Sequence, residues 1–463
     1  MRVKMMRNKN ESRLVSDSLG EITLPPNVLY AAQTQRAIEN FPISGRRMPQ
    51  NFIQALVLIK KAAATANIQI EQIPPNVGHA IIKACDTLLK DPRLMEHFPV
   101  DIFQTGSGTS SNMNANEVLA SLASELLKEP IDPNDHVNCS QSSNDVIPTA
   151  IHVSSAIALN SDLIPALNYL SSAISKKATQ VGHFVKTGRT HLMDAMPIRF
   201  DQCMSGWANQ IDKNVVNLKT LQNSLQELCQ GGTAVGTGVN APSEFAIQFI
   251  ENISNLTNLN FTSAPNFFSQ MGSQDVAVSV SGGLKTTAVS LMKISNDLRW
   301  MNSGPLSGLG EIELEPLQPG SSIMPGKVNP VIPEAATMVS AQVIGNDSTI
   351  TIAGQSGNFE LNVMLPLIAS NLLDSIQLLT NVSHLLADKA VTSFSVNQDK
   401  IEETLARNPI LVTALNPIIG YAKSAEIAKQ AYRESRPIIE VASENTDLSK
   451  DELIELLNPK SLT

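Results

Sequence analysis

Met204, Trp207, Ile211, Val215, Leu218, Leu221, Leu225 and Leu228 recur at steps of three or four. That spacing is one face of an α-helix of about 25 residues, roughly 37 Å long. A second stripe repeats it: Val276, Val280, Leu284, Ala288, Leu291, Ile294, Leu298 and Met301. A third helix is predicted after Pro148, carrying Ile157, Ile164, Leu167, Leu170 and Ile174. A fourth is predicted over Glu334 to Ile352, and a fifth from Asn362 to about Leu386, interrupted near Pro366. Helices this long exceed the usual mean of about 12 residues. Stripes this broad face several neighbours, so the expected fold class is mainly α with a long-helix bundle. Two short alternating stretches, Glu21-Ile22-Thr23-Leu24 and Gly310-Glu311-Ile312-Glu313-Leu314, read as small ribbons.

A chain of 463 residues has room for roughly three domains of about 150 residues. Composition shifts near Pro130–Asn138 and near Thr392–Asn397. They give an N-terminal mixed, mostly helical part (1–139), a central long-helix bundle (140–393) and a small C-terminal helical part (394–463). The net charge is −9 and no basic run occurs, which argues against nucleic acid and anionic membranes as partners. No uninterrupted apolar run reaches the ~18 residues of a membrane span. The stretch Met1 to Arg13 is basic but lacks the apolar core of a secretory signal, and reads as a disordered lead-in. Cys85, Cys139, Cys203 and Cys229 are far apart. That spacing suggests neither zinc nor a disulfide framework, and fits reduced thiols in a cytoplasmic protein.

Gly320-Ser321-Ser322-Ile323-Met324-Pro325-Gly326-Lys327-Val328-Asn329-Pro330 breaks the helical pattern. Its glycines and prolines exclude a regular helix or strand, so hydroxyls, a cation and an amide are grouped in a loop. Three other segments are dense in small polar residues: Thr105 to Asn112, Ser140 to Asp145, and Thr187 to His191. Each precedes an apolar periodic run and is expected at a helix N-terminus, where hydroxyls and amides cap free N–H groups. Capping alone would explain any one of them. Together with Lys327 they supply N–H donors, helix dipoles and a cation, the equipment for holding a small carboxylate. Gly106-x-Gly108 lacks the rest of a dinucleotide fingerprint. Among the histidines, His191 stands out because it adjoins a polar cluster. Glu334 opens a helix, where an acid suits the dipole and could also orient a histidine.

These four segments, in this order, resemble class II fumarases of the fumarase/aspartase superfamily. Gly320 to Pro330 is similar to the signature shared across the superfamily. Gly188-Arg189-Thr190-His191 resembles the fumarase form, where aspartases typically have Gln after the Thr. Ser142-Ser143-Asn144-Asp145 is similar to fumarases, where aspartases usually read Ser-Thr-Asn-Asp. Ala32 to Arg36, Phe103 to Thr109 and Leu411 to Asn416 are also fumarase-like. Val331-Ile332-Pro333-Glu334 and Asn240-Ala241-Pro242 lean towards aspartases. Aspartate ammonia-lyase therefore stays open as an alternative, as does a catalytically silent structural member. At the family's peripheral dicarboxylate site, Asp132 replaces a histidine before Pro133-Asn134-Asp135, and Glu129 stands where a base is expected. A second site is therefore expected to be weakened or absent.

The resemblance implies reversible hydration of fumarate to L-malate in the tricarboxylic acid cycle. It implies no cofactor and no metal. Ser321 would be the C3 base, and His191 with Glu334 would handle water. Lys327 and Asn329 would stabilise developing charge. Ser107, Thr109, Ser142, Ser143, Asn144, Thr190 and Ser322 would bind the dicarboxylate. The resemblance also implies a homotetramer around a helical core, each site built from three subunits.

Overall fold

The computed structural model describes residues 12–463. The predicted lead-in lies outside them but for Ser12 and Arg13, and Arg13 opens a strand rather than a tail. Helices dominate. The described strands pair only two at a time, in five small ribbons. The chain groups into two compact units and passes between them within helices.

The first unit comprises residues 12–165, 216–286 and 342–379. Its centre is the helix Gln50–Gln69, which buries Phe52, Ile53, Leu56, Val57, Ile59, Ala62, Ala63 and Ala66. A helix apolar on nearly every side must be surrounded. Helices Pro75–Leu89, Ser143–Ala158 and Ser243–Thr257 pack round it. The helix Thr109–Leu127 packs on two of these partners. An antiparallel hairpin, Arg13–Asp17 with Gly20–Leu24, contains the predicted ribbon in its second strand.

The second unit comprises residues 166–215, 287–341 and 380–463. It holds an irregular hairpin, Val185–Thr190 with Met193–Arg199. The other predicted ribbon shrinks to Ile312–Glu313, paired with Ser395–Val396. Near the C-terminus, Leu411, Leu415, Ile427, Ile438, Val441 and Leu453 belong to a separate small core.

Both long stripes are buried. Met204, Trp207, Ile211 and Leu218 line the helix Phe200–Leu225, and Val280, Leu284, Leu291 and Leu298 line Asp275–Met301. The predicted helices shift at their ends. The third does not begin after Pro148: Pro148 sits inside the helix Ser143–Ala158. Pro366 does not interrupt the fifth helix but lies in its first turn, since that helix is Leu365–Leu386. Proline is tolerated in a first turn because no N–H is needed there. The fourth helix is Val331–Gly354, longer at both ends than expected. The continuous run Ser143–Val181 is long and apolar enough on average to cross a bilayer, although no uninterrupted apolar run is. Yet 72% of its most apolar window is buried inside the protein, as in a core helix.

Candidate functional site

Two of the polar segments meet in the first unit. Ser107 and Thr109 share a hydroxyl–hydroxyl bond of 2.8 Å at the start of the helix Thr109–Leu127. Gly106 packs so closely that a Cβ there would stand 1.7 Å from the Val363 carbonyl oxygen. Only glycine fits, and the Gly106 carbonyl accepts from the Leu365 N–H at 2.9 Å. Ser142 caps the helix Ser143–Ala158 through a capping box with Asp145. Asn112, one turn into the neighbouring helix, donates Nδ2 to Ser143 Oγ at 3.1 Å. Ser107, Thr109, Ser142, Ser143 and Asn144 therefore lie at two helix starts, and the Asn112 bond to Ser143 links the two segments.

A glycine-rich loop that sequence reasoning passed over braces the second of these segments. Asp145 is fully buried and accepts from Ser142, Gly231 and Thr233 N–H groups at 2.9, 3.0 and 2.9 Å. Burial pushes its carboxyl up to about 6, against those three bonds, which favour the charged form. Asn144 Nδ2 donates to the Ala234 carbonyl at 2.8 Å. The visible signal was four glycines in eight residues from Gly231 to Gly238.

The second unit holds the other predicted residues. Thr187 to His191 is not a helix N-terminus, contrary to expectation. Val185–Thr190 is a strand, and the next helix starts only at Phe200. Thr190 pairs with Met193 across the hairpin, so His191 and Leu192 are the two turn residues. Both take left-handed angles, φ 56° and 61°. Two left-handed residues make a two-residue turn that glycine or asparagine normally fills. A histidine and a leucine there store strain of about 1–3 kcal/mol each. The strain presents His191 at an exposed tip. Beneath it, buried Glu311 joins Lys186 at 2.9 Å and Arg189 at 2.6 Å. Two cations on one carboxylate leave positive charge under the hairpin.

The loop from Gly320 to Pro330 is a closed strap. Gly320 N–H donates to the Lys327 carbonyl at 2.8 Å, and Asn329 Nδ2 donates to the Gly320 carbonyl at 2.8 Å. A Cβ on Gly320 would lie 2.6 Å from the Lys327 carbonyl oxygen. Inside the strap, Ser321 Oγ accepts from the Ile323 and Met324 N–H groups at 3.2 and 3.0 Å. Ser322 and Lys327 are exposed. Lys327 Nζ has no ion-pair or hydrogen-bond partner among the described residues. Glu334 lies in the first turn of Val331–Gly354, its N–H bonded to the Pro330 carbonyl at 3.1 Å. Within one chain no hydrogen bond joins Glu334 to His191 among the described residues. The strap can lower the cost of charge on Ser321 Oγ through two N–H donors, and it offers an unneutralised cation nearby in the chain.

Two family models match the chain: a lyase model over residues 20–345 and a fumarase C C-terminus model over residues 411–463. "Fumarate hydratase class II 2" of Pseudomonas aeruginosa is 63% identical over 453 residues, 98% of this chain and 99% of that one. "Fumarate hydratase class II" of Xylella fastidiosa is 56% identical, covering 99% of this chain and 97% of its own. The crystal structure of recombinant class II fumarase from Schistosoma mansoni superposes with a TM-score of 0.95 at 38% identity, covering 98% and 99% of the two chains. Such likeness over nearly the whole length goes with the long-helix fold and with all four polar segments, and the chain belongs to the class II fumarate hydratase family.

Proposed function

We propose that this chain catalyses the reversible anti addition of water to fumarate, giving L-malate, as a homotetramer in the cytoplasm and within the tricarboxylic acid cycle. The observation that carries the reading is Ser321 Oγ receiving two backbone N–H bonds inside a strap that also bears Lys327. The chemical difficulty is the C3 proton of malate, which is weakly acidic. Its removal builds charge onto the adjoining carboxylate, so the transition state is more anionic than the ground state. Fixed donors and cations then accelerate the step.

Ser321 takes the C3 proton as an alkoxide stabilised by the Ile323 and Met324 N–H groups. Lys327 and Asn329 stabilise the charge that develops on the carboxylate. Ser107, Thr109, Ser142, Ser143, Asn144, Thr190 and Ser322 bind the two carboxylates through hydroxyls, amides and helix N-termini. On the opposite face, His191 takes a proton from the attacking water during hydration and returns it to the departing hydroxyl in the reverse direction, with Glu334 stabilising its charged ring. That pair forms between subunits in this reading, and each site draws on three chains. Apolar side chains exposed on the long helices support the assembly: Val216, Val289, Trp300, Met338 and Ile352 are all more than half exposed in the single chain. The central part, residues 140–393, supplies the helical core of the tetramer.

Fumarate absorbs in the ultraviolet where malate and aspartate do not. Incubation with L-malate should raise that absorbance, and incubation with L-aspartate should not. A rise with aspartate alone would make the chain an ammonia-lyase and defeat the proposal. Ser321→Ala and His191→Asn should each lower kcat about 10²- to 10⁴-fold. Full activity in both would show that the roles are misassigned.

A further inference from the structure

Lys60 lies in the middle of the buried helix Gln50–Gln69, with 0% of its surface exposed. Its ammonium meets no carboxylate at ion-pair distance among the described residues. It donates instead to two amide oxygens, Asn138 Oδ1 at 2.9 Å and Gln141 Oε1 at 3.0 Å. Burying a cation without a direct counter-ion destabilises a fold, and a methionine of similar length would suit this core better. Burial draws the lysine down to about 7, while Asp145 and Cys85 raise it. A residue kept against stability calls for a role elsewhere.

The contacts of Asn138 and Gln141 supply one. Asn138 Oδ1 also accepts from Asn112 Nδ2 at 3.2 Å and Asn116 Nδ2 at 3.1 Å. Three donors on one oxygen fix which way the Asn138 amide points. The same Asn112 nitrogen that faces Asn138 donates to Ser143 Oγ. Ser143 Oγ is thereby an acceptor towards Asn112, which leaves its own O–H as a donor. Gln141 immediately precedes Ser142. Its Nε2 donates to the Val137 and Cys139 carbonyls at 3.1 and 2.9 Å, folding the turn that leads into the capping box.

We propose that Lys60 is a positioning residue, holding Asn138 and Gln141 so that Ser142, Ser143 and Asn144 present their donors to a substrate carboxylate. This rests on the reading of that segment as carboxylate-binding. Lys60 touches neither substrate nor reacting atoms. It acts on binding that is equal in ground and transition states, which appears in KM rather than kcat.

The test is steady-state kinetics with L-malate on the full-length enzyme, with thermal denaturation alongside. Lys60→Met should raise KM about tenfold or more and change kcat less than about threefold. Its melting temperature should equal or exceed that of the wild type, because an unpaired buried charge has been removed. Ser143→Ala, measured in parallel, should also raise KM. Wild-type KM in Lys60→Met, whatever its melting temperature, overturns the proposal and leaves the segment's role intact if Ser143→Ala is impaired. Wild-type KM in Ser143→Ala overturns the carboxylate-binding reading, and the proposal with it. If Lys60→Met does not fold, Lys60→Gln decides, since its shorter side chain cannot hold both amide oxygens: a raised KM supports the proposal and a wild-type KM overturns it.

Discussion

His152 is buried, and its Nδ1 donates to the Glu227 carbonyl at 2.9 Å. Burial pulls its pKa from 6.5 to about 4. Between those values the unfolded chain binds a proton that the folded chain refuses, so stability falls as pH drops through that window. At about 1.4 kcal/mol per pKa unit the loss reaches about 3 kcal/mol per chain. His152→Asn keeps a donor for Glu227 and cannot be charged. Its unfolding free energy, measured in denaturant, should therefore fall less steeply from pH 6.5 to 4 than that of the wild type. An unchanged slope would remove His152 as the cause. Such residues were hard to read from the chain. Lys60 and Lys61 are adjacent and identical as letters, yet helix phase turns one into the core while the other pairs with Asp86 at 2.6 Å. Asp145 looked like one more helix cap. Ser321, Lys327 and Asn329 were legible because they crowd into a stretch that cannot be helix or strand.

Elements were legible where one period ran long. The two stripes became the helices Phe200–Leu225 and Asp275–Met301 with little change, because a sustained 3.6-residue repeat has few competing readings. The hairpin at His191 was missed because its turn carries no glycine or asparagine, and Thr187 and Thr190 looked like caps. The turn at Asp132 shows how one side chain sets what an element can bind. Asp132 Oδ1 accepts from the Asn134 and Asp135 N–H groups at 2.7 and 2.9 Å, and Asp132 N–H donates to His136 Nδ1 at 3.0 Å. The N–H donors that an incoming anion would need are already taken by the turn's own carboxylate, which also repels it. Calorimetric titration with a non-reactive dicarboxylate should therefore give one site per chain. A stoichiometry of two would show that a second anion site survives the Asp132 and Glu129 changes.

At the scale of the whole molecule, the proposed site divides its labour among chain segments that need not come from one polypeptide. Ser321 lies in the exposed strap, His191 at an exposed hairpin tip, and Ser143 at a helix N-terminus in the other compact unit. Exposed tips and straps waste their donors in water unless something covers them. In the proposed tetramer, the apolar side chains left open on the long helices are the surfaces that copies would cover. Shared sites make a prediction that separate sites do not. The Ser321→Ala and His191→Asn chains should each form nearly inactive tetramers. When the two are mixed, dissociated and reassembled, some sites receive His191 from one chain and Ser321 from another. Random mixing at equal amounts restores both groups to about a quarter of the sites, and activity should recover towards that fraction. If every site were built within one chain, each would keep a defect and no activity would return. Light scattering on the same samples checks the assembly itself, and a stable, fully active monomer would leave the shared-site reading without support.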